Sequence, residues 1–171
     1  PVSIVSGMAA ATRSGILVKG GMFLERGRQL SWLALDKTGT ITHGKPRQTD
    51  FIPLDGHDAD KAASVAAGIA ARSDHPVSRA IAEAAVERGI ALLPVDAFTA
   101  VPGQGVKGLI EDEQWHLGNQ RMMESLGIRS AGLEDRITAL EQQGKSVVAL
   151  MSGKEVHALF AVADSLKESS L

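Results

Sequence analysis

The run Leu30-Ser31-Trp32-Leu33-Ala34-Leu35 stops abruptly at the charged pair Asp36-Lys37, and Gly39 follows. A short apolar run ending in charge and glycine predicts a buried parallel strand that opens into a loop. This feature places the chain in the α/β class and sets a carboxylate at a strand's C-terminal end, where open α/β sheets carry their chemistry. With 171 residues, 44% of them apolar and 22% charged, the chain has room for one ordinary domain, or a small domain plus pieces of a second. It contains no cysteine, which excludes disulfides, thiolate nucleophiles and Cys-type metal sites. A formal net charge of -2 provides no basic field to gather nucleic-acid phosphates, so no nucleic-acid partner is expected. The longest uncharged stretch, Pro1 to Thr12, falls short of the roughly 18 residues a bilayer span requires, so the chain reads as soluble. It opens on Pro1 without a basic-then-apolar leader and reads as a piece of a longer protein.

Residues 1–27 read as a linker plus a short helix, with Arg13, Lys19, Arg26 and Arg28 punctuating the apolar residues. Beyond Gly44 and Pro46, Thr49 to Leu54 predicts a strand and Asp55-Gly56 a turn. Ala62, Val65, Ala66 and Ile69 fall at helical spacing, and Val77, Ala80, Ile81, Ala84 and Ala85 repeat the pattern after Pro76, which predicts a helical hairpin. Pro76 at the first helical position and Gly89 past the last are the usual start and stop. Three antiparallel strands are expected over Phe98 to Val101, Val106 to Ile110 and Gln114 to Leu117. Gly118-Asn119 opens a helix, and Leu133, Ile137 and Leu140 mark another that ends at Gly144. Val147 to Met151 and Val156 to Val162, joined by Ser152-Gly153-Lys154-Glu155, predict a closing hairpin.

Three motifs carry chemistry. Asp36-Lys37-Thr38-Gly39-Thr40 is a five-residue string that chance would produce in about one chain in twenty thousand of this length. Ser73-Asp74-His75-Pro76 precedes a helix; a lone His there serves as a cap more often than as a ligand. Gly103-Gln104-Gly105-Val106-Lys107-Gly108 matches G-x-G-x-x-G but lies between two strands, without the strand-then-helix setting of a dinucleotide site. Taken alone, it is a hairpin turn.

The first motif is identical to the phosphorylation loop of P-type ATPases, and with Ser73-x-His75-Pro76 the chain resembles the heavy-metal-transporting members of that family. The resemblance implies a haloacid-dehalogenase-like phosphorylation-domain fragment with an inserted α+β nucleotide-binding domain, an antiparallel sheet flanked by helix hairpins. It implies the following organisation: residues 1–29 a membrane-exit linker and helix, 30–45 the phosphorylation-domain strand and loop, 46–163 the nucleotide-binding domain, and 164–171 the start of the return. Lys19-Gly20-Gly21 with Leu24-Glu25, Gly44-Lys45-Pro46 and Asp164 before Ser165-Leu166 resemble the incoming, outgoing and returning segments.

By the same resemblance Asp36 is the nucleophile that takes the γ-phosphoryl group of ATP, within a catalytic loop that includes Lys37 and Thr38. Asp36 and the Thr38 carbonyl are implied to help hold Mg2+, in a site that this fragment leaves incomplete. Related phosphatases place a second Asp two positions after the nucleophile as general acid and base; here Thr38 stands in its place, which disfavours the alternative of a soluble phosphatase and suits a long-lived phosphoenzyme. His75 packs against adenine, and Gly103, Gly105, Gly118 and Asn119 let the backbone approach the nucleotide, since glycine lacks a Cβ. Relatives carry a Glu five residues before the motif His; this chain has Ala70, and a carboxylate there is expected to reach the rim of the adenine pocket.

The chain ends before the family's T-G-D and G-D-G-x-x-N-D segments, so the fragment is expected to bind ATP or ADP with little or no turnover. The implied parent is a heavy-metal efflux pump, with the leader Pro1 to Gly7 closer to zinc, cadmium and lead exporters than to copper exporters. A nucleotide-binding module without catalysis is a further alternative. The implied partners are transmembrane and actuator domains of the same chain, and the implied place is the cytoplasmic side of an inner or plasma membrane, with the fragment monomeric. His43, His57, His116 and His157 are scattered and show no ligand spacing, so no transported-metal site is expected.

Overall fold

A computed structural model describes residues 2–129 and 131–170, and the chain divides into two compact units, Pro1–Asp36 and Lys37–Leu171. No helix among the described residues is long and apolar enough to cross a membrane.

The first unit holds helix α1 (Val2–Arg13), helix α2 (Gly21–Arg26) and a 3-10 turn at Gly27–Gln29. The sequence suggested a linker with one short helix; instead the Met8-Ala9-Ala10-Ala11 stretch, built of strong helix formers, carries a full twelve-residue helix. Leu30 to Asp36 departs further from expectation, because it forms no strand. Trp32 is 91% exposed and Leu33 74%. An apolar run becomes a strand only where neighbours take up its N–H and C=O groups, and among the described residues this run has no ladder partner.

In the second unit one antiparallel sheet is built from β1 (Thr42–Pro53), β2 (Asp96–Val101), β3 (Gly105–Ile110), β4 (Glu113–Gly118), β5 (Ser146–Ser152) and β6 (Glu155–Leu166), in the spatial order β1-β6-β5-β4-β3-β2. Helices α3 (Ala59–Ala70) and α4 (Pro76–Glu87) follow β1, while α5 (Gln120–Ser125) and α6 (Ala131–Gln142) follow β4. The period of two along a strand sorts the core into two halves. Leu150, Ala158, Phe160 and Val162 join Val65, Ile69 and Ile81 of the α3–α4 hairpin. Val147, Ala149, Met151, Leu159 and Ala161 face the other way and join Met122, Leu133, Ile137 and Leu140 of α5 and α6. Apolar residues on both faces of β5 and β6 explain why these strands read as continuous apolar runs and not as alternation.

The helical hairpin and strands β2 to β5 lie where periodicity and turn chemistry predict, within a residue or two, while β6 starts as expected but runs four residues past Val162. β1 is longer than expected, beginning at Thr42 because β6 continues to Leu166 and supplies partners as far as Thr42↔Leu166. Long-range pairing of this kind leaves no local signal in either segment. Gly44-Lys45-Pro46 and Asp164 therefore lie on neighbouring strands, with Pro46 opposite Asp164.

Candidate functional site

His75 is the N-cap of α4: its backbone is extended (φ -65°, ψ 134°) and its Nδ1 accepts the Val77 N–H at 3.3 Å. Pro76 occupies the first helical position and has no N–H to satisfy, so the imidazole takes the first free amide of the helix. The ring is exposed and stands on the lip of a cleft of about 710 Å3. That volume lies within the range of small-molecule sites.

The opposite lip is the β2–β3 loop. Gly103, Gln104, Gly105 and Asn119 line the cleft, together with Val77, Val101, Val106, Val147 and Val148 on its apolar walls. The loop is held from below. Asn119 caps α5 by accepting the Met122 N–H at 3.3 Å, its Nδ2 donates to the Gly103 carbonyl at 3.0 Å, and its own N–H donates to the Gln104 carbonyl at 2.8 Å. Gly105 sits opposite Gly118 in the β3–β4 ladder. A Cβ on Gly105 would overlap the Leu117 carbonyl oxygen, and Gly105 also has φ +151°, outside the range side chains favour. Gly118 is buried and does not line the cleft; a Cβ there would collide with Met122 and lie 2.7 Å from the Gln104 carbonyl. Its absence of side chain serves the seating of the loop.

One cation faces the cleft. Gly144 (φ +76°) ends α6, with its N–H bonded to Glu141 at 2.8 Å, and turns Lys145 inward. The Lys145 ammonium lies 2.7 Å from the Asp50 carboxylate. That hydrogen bond, helped by the Thr49 hydroxyl, holds Asp50 below the usual carboxylate range. Lys145 has no motif spacing to betray it in the sequence; the only signal is a lysine directly after a helix-ending glycine.

The loop residues of the first motif fall in different places. Asp36 is exposed and ends the first unit. Lys37 and Thr38, also exposed, begin the second unit in a wide turn that Thr38 (ψ 120°) and Gly39 (φ +77°) keep from being helical. The turn is tied to the end of β6. The Thr42 hydroxyl, fully buried, is 2.5 Å from the Asp164 carboxylate and accepts the Gly39 N–H at 3.3 Å; the Gly44 N–H donates to Asp164 at 3.2 Å, and the Lys167 ammonium donates to the Gly39 carbonyl. Thr42 escaped notice in the sequence because its partner lies 122 residues away.

Two expectations are corrected. Ala70 is not at the rim of the cleft: it is completely buried in the α3–α4 core, because the last turn of α3 faces the sheet. The histidines are not all scattered, since the rings of His57 and His157 approach to 4.0 Å.

The cleft has an aromatic residue, a glycine-containing loop and apolar walls, with Lys145, already paired to Asp50, and Glu141 as its charged lining residues, a lining able to take a planar heterocycle. The chain belongs to the haloacid dehalogenase-like hydrolase family, whose model matches residues 30–170. It is 38% identical over 170 residues to copper-transporting ATPase 1 of Rhizobium meliloti (strain 1021), covering 99% of this chain and 21% of that protein. It is 34% identical over 175 residues to the cadmium-transporting ATPase of Staphylococcus aureus, covering 99% of this chain and 24% of that protein. The crystal structure of a zinc-transporting PIB-type ATPase in the E2.Pi state superposes with a TM-score of 0.83 at 30% identity, over 98% of this chain and 27% of that one. The chain thus spans between a fifth and a quarter of the length of these two sequence relatives.

Proposed function

We propose that this chain is the ATP-binding part of an ATP-driven heavy-metal cation efflux pump that passes through an aspartyl phosphate at Asp36. The observation that carries the reading is the cleft: His75, Gly103, Gly105 and Asn119, spread over 45 positions of sequence, line one cavity. Adenine stacks on the His75 ring, and the glycine loop lets the rest of the nucleotide lie close to the backbone. Lys145, held by Asp50, lines the same cavity. Gly118 acts beneath the loop.

Asp36 attacks the γ-phosphorus through a carboxylate oxygen, ADP being the leaving group. Oxygens of Asp36 and Thr38 are hard donors of the kind Mg2+ prefers and would hold part of its site. The ion would offset the repulsion between carboxylate and triphosphate. Lys37 adds a cation beside the nucleophile. The relatives' copper, cadmium and zinc transport supports a heavy-metal cargo, with the Pro1 to Gly7 leader favouring zinc or cadmium and copper as the alternative. The domain then works on the cytoplasmic side of the membrane, joined to transmembrane and actuator domains of the same protein.

Titrating ATP, ADP and GTP while following backbone amide signals tests this. ATP should move the signals of His75, Gly103 to Gly105, Asn119 and Lys145. Shifts confined to other parts of the sheet, or none at saturating ATP, would refute the reading.

A further inference from the structure

At the far end of the β5–β6 hairpin from the cleft, three ligating side chains converge. His57 lies in the turn between β1 and α3, and Glu155 and His157 project from β6 two residues apart, on the same side of the strand. One ligand atom from each falls within 4.8 Å of the other two. The arrangement is built by backbone bonds: the Leu54 N–H donates to the His157 carbonyl at 2.9 Å and the His57 N–H to the Leu54 carbonyl at 3.2 Å, which folds the turn back over β6. The indole of Trp115 packs edge-on against the His157 ring at 4.6 Å and fixes its position.

We infer that His57, Glu155 and His157 form a binding site for a borderline divalent cation, Zn2+ foremost, on the nucleotide-binding body. Two imidazoles and a carboxylate are a recurrent zinc donor set with a fourth position left to solvent. Around a tetrahedral zinc with bonds of about 2.0 Å, ligand atoms stand about 3.3 Å apart. The three ligand atoms already lie within 4.8 Å of one another. Hard cations gain nothing from imidazole, so Ca2+ and Mg2+ are excluded by chemistry. The hollow that His57 and Glu155 share with Arg129, Arg136 and Lys154 is cationic. That opposes a dication and sets the expected affinity in the micromolar range. Ser146 at one end of β5 lines the nucleotide cleft, and Ser152 at the other pairs with Glu155; at a rise of about 3.3 Å per residue the two sites stand roughly 20 Å apart. The inference does not depend on the pump reading.

The test is calorimetric titration of Zn2+ into the whole 171-residue chain, with Co2+ absorption as a readout of coordination geometry and Mg2+ as a control. One equivalent of Zn2+ should bind, Co2+ should give the intense bands of a tetrahedral site, and Mg2+ should give no heat. His57→Ala should weaken Zn2+ at least tenfold, and Glu155→Gln about threefold or more, with circular dichroism unchanged. His157→Gln, which retains a planar side chain against Trp115, should match His57→Ala. Failure of stoichiometric Zn2+ binding, or binding that persists unchanged in His57→Ala and in Glu155→Gln, overturns the inference. ATP titrations of the same variants should be unaffected, which separates this site from the cleft.

Discussion

His75 performs two tasks that substitution can separate. Its Nδ1 caps α4 through the Val77 amide at 3.3 Å, and its exposed ring forms a lip of the cleft. A side-chain N-cap contributes about 0.5–2 kcal/mol; a bond at the long end of the range belongs in the lower half, about 0.5–1 kcal/mol. Stacking a base on an aromatic ring contributes about 1–3 kcal/mol, and an exposed ring again sets the lower half, about 1–2 kcal/mol or roughly 5- to 30-fold in Kd. His75→Asn retains a capping acceptor and removes the ring; His75→Phe keeps a ring and loses the cap; His75→Ala loses both. Urea unfolding should show Asn within about 0.5 kcal/mol of the parent and Phe and Ala lower by about 0.5–1 kcal/mol. Calorimetry with ATP should rank them otherwise, Asn and Ala weakened alike and Phe retaining most of the affinity. A domain stable by about 5 kcal/mol or more stays folded through either loss, so the two readouts do not contaminate each other. If His75→Asn binds ATP as tightly as the parent, the ring contributes nothing to the nucleotide and His75 is only a cap.

Ala70→Glu should destabilise the chain by about 3 kcal/mol or more, seen as a lower urea midpoint, because it buries a carboxylate in an apolar core; unchanged stability would mean that α3 is misplaced here. The Asp50–Lys145 pair predicts a pH dependence. The folded carboxyl titrates below its ordinary 3.8, so the stabilisation is fully present above that pH and is lost as pH falls through the lower folded value. Asp50→Asn should therefore cost about 1 kcal/mol at pH 7 and next to nothing once both states are protonated. An equal cost at both pH values would show that charge is not the cause.

Local chemistry was legible where a few neighbouring residues decide the outcome. The Pro76 start of α4, the Asn119 cap and the Gly144 stop all lie within one helical turn of what they control. The apolar run at Leu30 failed as evidence for a strand because a ladder belongs to two segments and only one was visible. Ala70 does not reach the cleft because the four positions between it and His75 contain the break between two helices, and helical phase does not carry across a break. Lys145, Thr42 and the His57–His157 contact each depend on partners some hundred residues away. Only the antiparallel return of β6 along β1 brings two of these three together.

That return also governs how the second unit yields to force. Thr42 and Leu166 are paired at one end of the β1–β6 ladder, so tension pulling these two ends apart loads the ladder as a zipper and not in shear. Hydrogen bonds then break singly, starting where the register already slips between Thr42 and Pro46. The contacts first in line are those of Lys167 with Gly39 and Ile41, then those of Asp164 with Thr42 and Gly44, a tether whose joint rupture would free the Lys37–Ile41 turn from β6 while the sheet beyond Arg47 remained whole.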